Sequence, residues 1–377
     1  MARLHAIRPT LRRVVLLGCA SLLAVAAAGC GNAGSKTSTG KRGSAVSGFE
    51  RTFAQTRPLT GAVRLRKLKA LAAKEGKLTL YSSLNGELLD KLTGAFSDKY
   101  GVDVSVYRAS DEDLARRLLE ESHAGFHGAD VVETNGPAMF ALNDAHVLVP
   151  FGPAAASALV AGAKYPGWTT DRFNTMLVAW NTKRVSPGER PTRWEDLANP
   201  RWKGRIALEP GDFDWYKSLR DYWLSTGKTP AQADRLFAAI GRNGVVFKGH
   251  TLIVQLLGAG EFDLAASAFR HLVRNSEAAG APVAWSPPVE PVFSRPAGVA
   301  LVRGSEHPAA AMVFAEWLLS DGQELYGGLD LEPARADLAR KLPGRRIVVD
   351  LRSLSATQQR WSDMYDRVVA RAGGVGK

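Results

Sequence analysis

Five short segments bring together side chains able to hold a small molecule or an ion. Ser82-Ser83 offers two hydroxyls beside backbone N–H groups. At the start of a helix that combination suits an oxyanion, and it serves equally as a plain N-cap. Glu133-Thr134-Asn135-Gly136 sets a carboxylate, suited to a cation, next to an amide that both donates and accepts; the alternative is a loop and cap. Asp212, Asp214, Trp215 and Tyr216 place acids beside aromatic rings, which can enclose an organic ligand. Otherwise Trp215 is core and the acids are first-turn helix residues. His250-Thr251 follows Lys248-Gly249, with Thr251 a cap in either reading. Phe269-Arg270-His271 supplies the best anion contact, because the planar fork of Arg270 matches carboxylate and phosphate; the alternative is a surface arginine.

Other patterns fail on chemistry. His123 and His127 have the spacing of paired metal ligands, but Gly125 and Gly128 interrupt the helix and no third ligand is near. Gly227-Lys228-Thr229 resembles the end of a phosphate loop, yet Tyr222 stands where its first glycine is required. Gly258-Ala259-Gly260 lacks the third glycine of a dinucleotide fingerprint, and there is no Gly-x-Ser-x-Gly elbow. Neither a metal centre nor a cofactor is expected.

The elements that must position the five segments read as alternating strands and helices. Strands are predicted at 77–81, 102–107, 129–133, 173–181, 205–208, 262–267 and 297–302. Helices are predicted at 62–74, 86–96, 111–121, 215–226, 230–241, 251–257, 308–319 and 358–371. That order implies an α/β fold with a parallel sheet. Ligands of such sheets gather at the carboxyl ends of strands, which is where the Ser82, Glu133, Asp212 and Phe269 segments fall; His250-Thr251 opens a helix.

The chain has 377 residues and a net charge of +12, a length that suggests two domains or lobes. The excess charge lies entirely in residues 1–76; residues 77–377 carry 35 basic and 35 acidic side chains. Nine Trp and scattered bases therefore do not amount to a nucleic-acid surface. Two Cys exclude a disulfide scaffold. Residues 1–13 are basic and 14–29 are uncharged, the pattern of an export signal. At about 1.5 Å per residue the apolar run spans roughly 24 Å, short for a bilayer. Residues 30–61 read as a flexible basic tether.

Ala27-Ala28-Gly29-Cys30 resembles a bacterial lipoprotein signal, which implies lipidation of Cys30, removal of Cys19 with residues 1–29, and an extracytoplasmic protein anchored to the bacterial cell membrane. Five further segments, in order, resemble the extracellular solute-binding proteins of ABC importers, in the type II periplasmic-binding-protein branch that includes ferric-ion binders. They are 74–83 with 96–102, Gly128 to Val132, Trp194 to Ala207, Gly260 to Asp263, and Phe314 to Gln323.

The resemblance implies two lobes joined by two crossing strands, which close on a ligand like a hinge. Lobe one would be 62–176 with 295–377, and lobe two 177–294. It also implies a monomer without catalysis, whose partners are a small-molecule ligand, a permease and its ATPase subunits. Ligand contacts would come from Ser82, Ser83, Asn135, Asp214, Trp215, Thr251, Phe269 and Arg270. Ferric-ion binders of this family use an adjacent Tyr pair. This chain has eight Tyr, none adjacent, and reads Ala268-Phe269-Arg270-His271 at that place. An organic anion or a chelate is expected rather than bare Fe³⁺. Rival classes are an exported hydrolase using Asp214 or Glu133, and a sensor that signals to a membrane receptor.

Overall fold

The computed structural model describes residues 48–339 and 342–372. The export signal, Cys30 and tether residues up to 47 lie outside the described residues. Residues 48–56, read above as tether, form a helix, Gly48–Thr56. Its Phe49 and Phe53 rings stack, and Phe49 is buried in the core beneath helix Gly61–Glu75. Two aromatics four apart on one helix face supply the apolar stripe that composition alone obscured.

One sheet runs through the protein in the order Asp103–Arg108, Lys77–Ser82, Val131–Asn135, Val292–Val302, Trp168–Asn181, Leu264–Phe269, Ile206–Leu208 and Gly244–Val246. The first three strands pair in parallel, and so do the last three. The two long strands between them pair antiparallel with each other and with both ends. Trp168–Asn181 lies against Val292–Val302 through Met176, then against Leu264–Phe269 from Met176 to Trp180. Two parallel α/β halves are thus joined through the crossing strands.

Local chemistry sets the helix ends. Asn85 accepts from the Glu87 N–H at 3.0 Å and opens Gly86–Tyr100, which Gly101 closes in the left-handed conformation. Ser110 caps Asp111–His123, whose first turn holds Asp111, Glu112 and Asp113. Thr229 and Gln232 form a reciprocal capping box before Pro230.

Under the first half, Phe96 packs against Phe314 and Trp317. Glu75 accepts from the N–H groups of Ala309 and Ala310, tying helix Gly61–Glu75 to the start of Pro308–Leu318. The last helix, Gln358–Val369, departs from the expected division. The resemblance implies lobe one for it, but it packs on Phe213–Ser225 and Pro230–Asn243 in the other half. Tyr365 is fully buried there against Trp215 and Tyr216, and its hydroxyl donates to the Glu209 carbonyl at 3.0 Å. Its apolar face is legible in the sequence; the half that receives it is not. No helix among the described residues is long and apolar enough to cross a membrane.

Candidate functional site

A cleft of about 500 Å³ opens between the two halves. Its floor is the crossing strands. Arg172 and Asn174 stand two apart on Trp168–Asn181 and so share one face. Arg295 on Val292–Val302 pairs in register with Asn174. The first half contributes Ser83, Asn135 and the start of the helix at Asp111; the second contributes Glu209, Gly211, the 248–252 turn, Phe269 and His271.

Of the expected contacts, the structure brings Ser83, Asn135, Thr251 and Phe269 into this cleft. Asn135 accepts from the Asn174 amide at 2.7 Å and donates to Asp111 at 3.1 Å, so it links the floor to the first half. Thr134 donates to the Ser83 hydroxyl at 3.0 Å. Phe269 stacks on His250, with ring centroids 3.7 Å apart.

The other four lie outside the lining. Ser82 is sealed beneath it, where its hydroxyl donates to Glu133 and accepts from the Leu84 N–H at 3.0 Å. Trp215 is core, packed against Trp194, Phe237 and Tyr365. Asp214 is buried and turned onto Arg295. Arg270, expected as the anion contact, binds Glu332 at 3.3 Å and the Asp330 carbonyl at 2.8 Å. Its neighbours Phe269 and His271 line the cleft, and the residue between them points away.

Sequence reasoning missed Arg172, Asn174, Arg295 and Glu209, while His271 lines the cleft as its segment was expected to. For Arg172, Asn174 and Arg295 the available signal was position, a charged or amide side chain inside a strand that is buried along its whole length; Glu209 directly follows the strand Ile206–Leu208. The predicted strand began at Phe173 and left Arg172 outside it.

The floor is electrostatically dense. Arg295 donates through Nε to Asp214 at 2.6 Å and through Nη2 to Asp212 at 2.7 Å, with a further Nη2 contact to Asp214. Burial alone would raise the Asp212 carboxyl, but His250 and Arg295 hold it well below the ordinary carboxylate range. Burial pushes Asp214 up against the pull of Arg295.

Arg172 lies 2.8 Å from Glu133 and 3.8 Å from Asp171. Its Nε and Nη1 make no hydrogen bond of normal geometry, although the side chain is only 2% exposed. Burial, then the Asp171 charge against the pull of Arg172, pushes the Glu133 carboxyl up to about 7. Glu209 is likewise pushed up to about 7 by burial and the Asp212 charge. His271 is pushed down to about 3 by burial and the positive charge of Arg172. His250 is raised, because Asp212 outweighs its burial.

This arrangement suits binding. Buried donors and acceptors converge on a water-sized-to-molecular space, and the Ser82–Glu133 pair is sealed away from it rather than presented as a nucleophile and base.

The fold and cleft define a two-lobed α/β binding protein. Comparison places it further. The bacterial extracellular solute-binding protein family matches residues 91–339, and the chain belongs to that family. The "Fe(3+)-binding periplasmic protein" of Serratia marcescens is 26% identical over 199 residues, 52% of this chain and 57% of that protein. The chain thus spans little more than half the length of this curated relative. Among solved structures, iron-bound HitA from Pseudomonas aeruginosa is 19% identical, covers 78% of this chain and 99% of its own, and superposes with a TM-score of 0.63. The periplasmic binding protein AfuA from Actinobacillus pleuropneumoniae, with fructose-6-phosphate bound, is 18% identical, covers 79% and 97%, and gives 0.66. These likenesses show the type II periplasmic-binding-protein fold.

Proposed function

We propose that this chain is the substrate-binding lipoprotein of an ABC-type importer. It captures a small solute in the cleft, closes around it and presents the closed form to a membrane permease whose ATPase subunits supply the energy. Residues 62–176 with 295–357 form one lobe, and 177–294 with the helix Gln358–Val369 the other. Cys30 carries the lipid that holds the protein outside the cytoplasmic membrane. The chain itself performs no catalysis.

The observation that carries this reading is the floor of the cleft. Arg172 presents Nε, and Asn174 presents Oδ1, without hydrogen-bond partners and almost without solvent, while Arg172 Nη1 has only a poorly aligned ion pair with Glu133. Buried polar groups of this kind are normally satisfied, and a solute with acceptor oxygens, an organic anion or a chelate, satisfies Arg172. A thermal-shift screen tests it, using phosphonates, phosphate esters, carboxylates, polyamines, thiamine and ferric ion with and without chelators. A solute at a hundred times its dissociation constant adds about 2.7 kcal/mol. Stabilisation by one solute, lost in Arg172→Gln, is the expected result. Turnover of the bound solute would contradict a purely binding role.

A further inference from the structure

On the second half, Glu209 and His250 line the cleft and the sealed Asp212 lies behind them, the ligating atoms of all three within 4.8 Å of one another. We propose that these three residues form a binding site for a divalent first-row transition-metal ion, an inference that rests on the cleft being the solute site.

Each side chain is held in place from behind. Glu209 accepts from the N–H of Gly211 at 2.5 Å and of Gly249 at 3.3 Å. Asp212 is fully buried; its Oδ1 is taken by Arg295 at 2.7 Å and by His250 Nε2 at 3.2 Å. Its Oδ2 makes no hydrogen bond of normal geometry, although the Ser267 hydroxyl lies near this carboxylate. The Nδ1 of His250 is also without a partner. A carboxylate oxygen cut off from water without a well-aligned donor is costly, and a cation is a group that meets it. Either nitrogen of His250 presents a lone pair in one of its two neutral tautomers.

The positive charge of Arg295 does not oppose an ion here, because Asp214 shares the guanidinium with Asp212. A fourth carboxylate approaches across the cleft. A Cβ on Gly211 would stand 2.6 Å from Glu112 Oε1 and 3.0 Å from Glu209 Oε2, so both acids crowd the same point. Lys248 offsets Glu112 at 3.2 Å. Oxygen and imidazole donors without thiolate suit Mn²⁺ or Zn²⁺.

The test is calorimetric titration of the full chain, purified in mild detergent and stripped with a chelator, with MnCl₂ and with ZnCl₂. One equivalent should bind the wild type and also a His123→Gln, His127→Gln double variant, which controls for surface histidines. Affinity should fall at least tenfold in Glu209→Gln and in His250→Gln. Absence of binding by the wild type, or binding retained in both variants, overturns the proposal. If His250→Gln misfolds, the imidazole-nitrogen modulation in the pulsed EPR of the Mn²⁺-loaded wild type reads the ligand directly, and its absence overturns the assignment. A parallel thermal-shift screen separates the two readings. An organic solute that stabilises the protein while neither ion binds removes the metal site and leaves solute binding intact; no response to any of them removes both.

Discussion

Arg172 and Arg295 stand on adjacent strands at the floor of one cleft, each nearly sealed from solvent and each beside two carboxylates. They do different work. Arg295 spends its fork on Asp212 and Asp214, at the start of helix Phe213–Ser225, and so fastens a crossing strand to the second half. Arg172 meets Glu133 through Nη1 without a well-aligned hydrogen bond and keeps Nε unmatched. A saturated arginine is a structural clasp, whereas an unsaturated one at a cavity wall is a contact waiting for a partner. Count and burial do not separate the two; geometry does.

Substitution should separate them. Arg295→Ala strands Asp212 and Asp214 as buried charges, and Asp212 is held strongly in its ionised form. Urea denaturation should show a loss of about 4 kcal/mol. Arg172→Gln should cost less, about 2 kcal/mol, because burial has already raised both Glu133 and Asp171, which can take up protons when the arginine goes. Equal losses would erase the distinction between clasp and contact.

The same asymmetry has a pH signature. Glu133 titrates near 7 in the fold against 4.5 for an ordinary glutamate, so the folded protein holds this proton more tightly than the unfolded chain. Its contribution favours the fold at low pH and is lost between about 4.5 and 7. His271, pushed down to about 3, works in the opposite direction below its ordinary value and is common to wild type and variant. Glu133→Gln should therefore remove a decline of about 2 kcal/mol between pH 5 and pH 8, seen as a flatter stability profile than wild type. The smallest effect on stability is expected at Gly211. Gly211→Ala pushes the flexible end of Glu112 aside, shifts the Glu209 carboxylate by a few tenths of an ångström, and should cost about 1 kcal/mol, while weakening whatever binds between Glu112 and Glu209. A large loss of stability there would mean that the two halves are locked at this point rather than free to close.

The sequence made the scaffold legible because its signals were local. Asn85, Ser110 and Thr229 announce helix starts by capping chemistry, and Gly76 and Gly101 end helices where a left-handed residue is needed. Ser83, Asn135 and Phe269 follow from one topological rule, that strand ends face the cleft, and Thr251 from its place at the start of a helix. The rule failed at single-residue resolution. Along Phe269-Arg270-His271 direction alternates, so the chemically attractive Arg270 points to Glu332 while its neighbours line the cavity. Arg172, Asn174 and Arg295 escaped for a different reason. They sit in the middle of strands buried on both faces, where period-two alternation disappears, and their partners Glu133, Asp212 and Asp214 are distant in sequence and on other elements.

The most direct test of the cleft as the solute site is hydrogen–deuterium exchange on the full chain, with and without the solute that stabilises it most. Slowed exchange is expected together in 83–85, 209–213 and 248–252, segments from opposite sides of the cleft. Protection confined instead to the separate groove lined by Leu65, Tyr100 and Glu316, with those three segments unchanged, would contradict it.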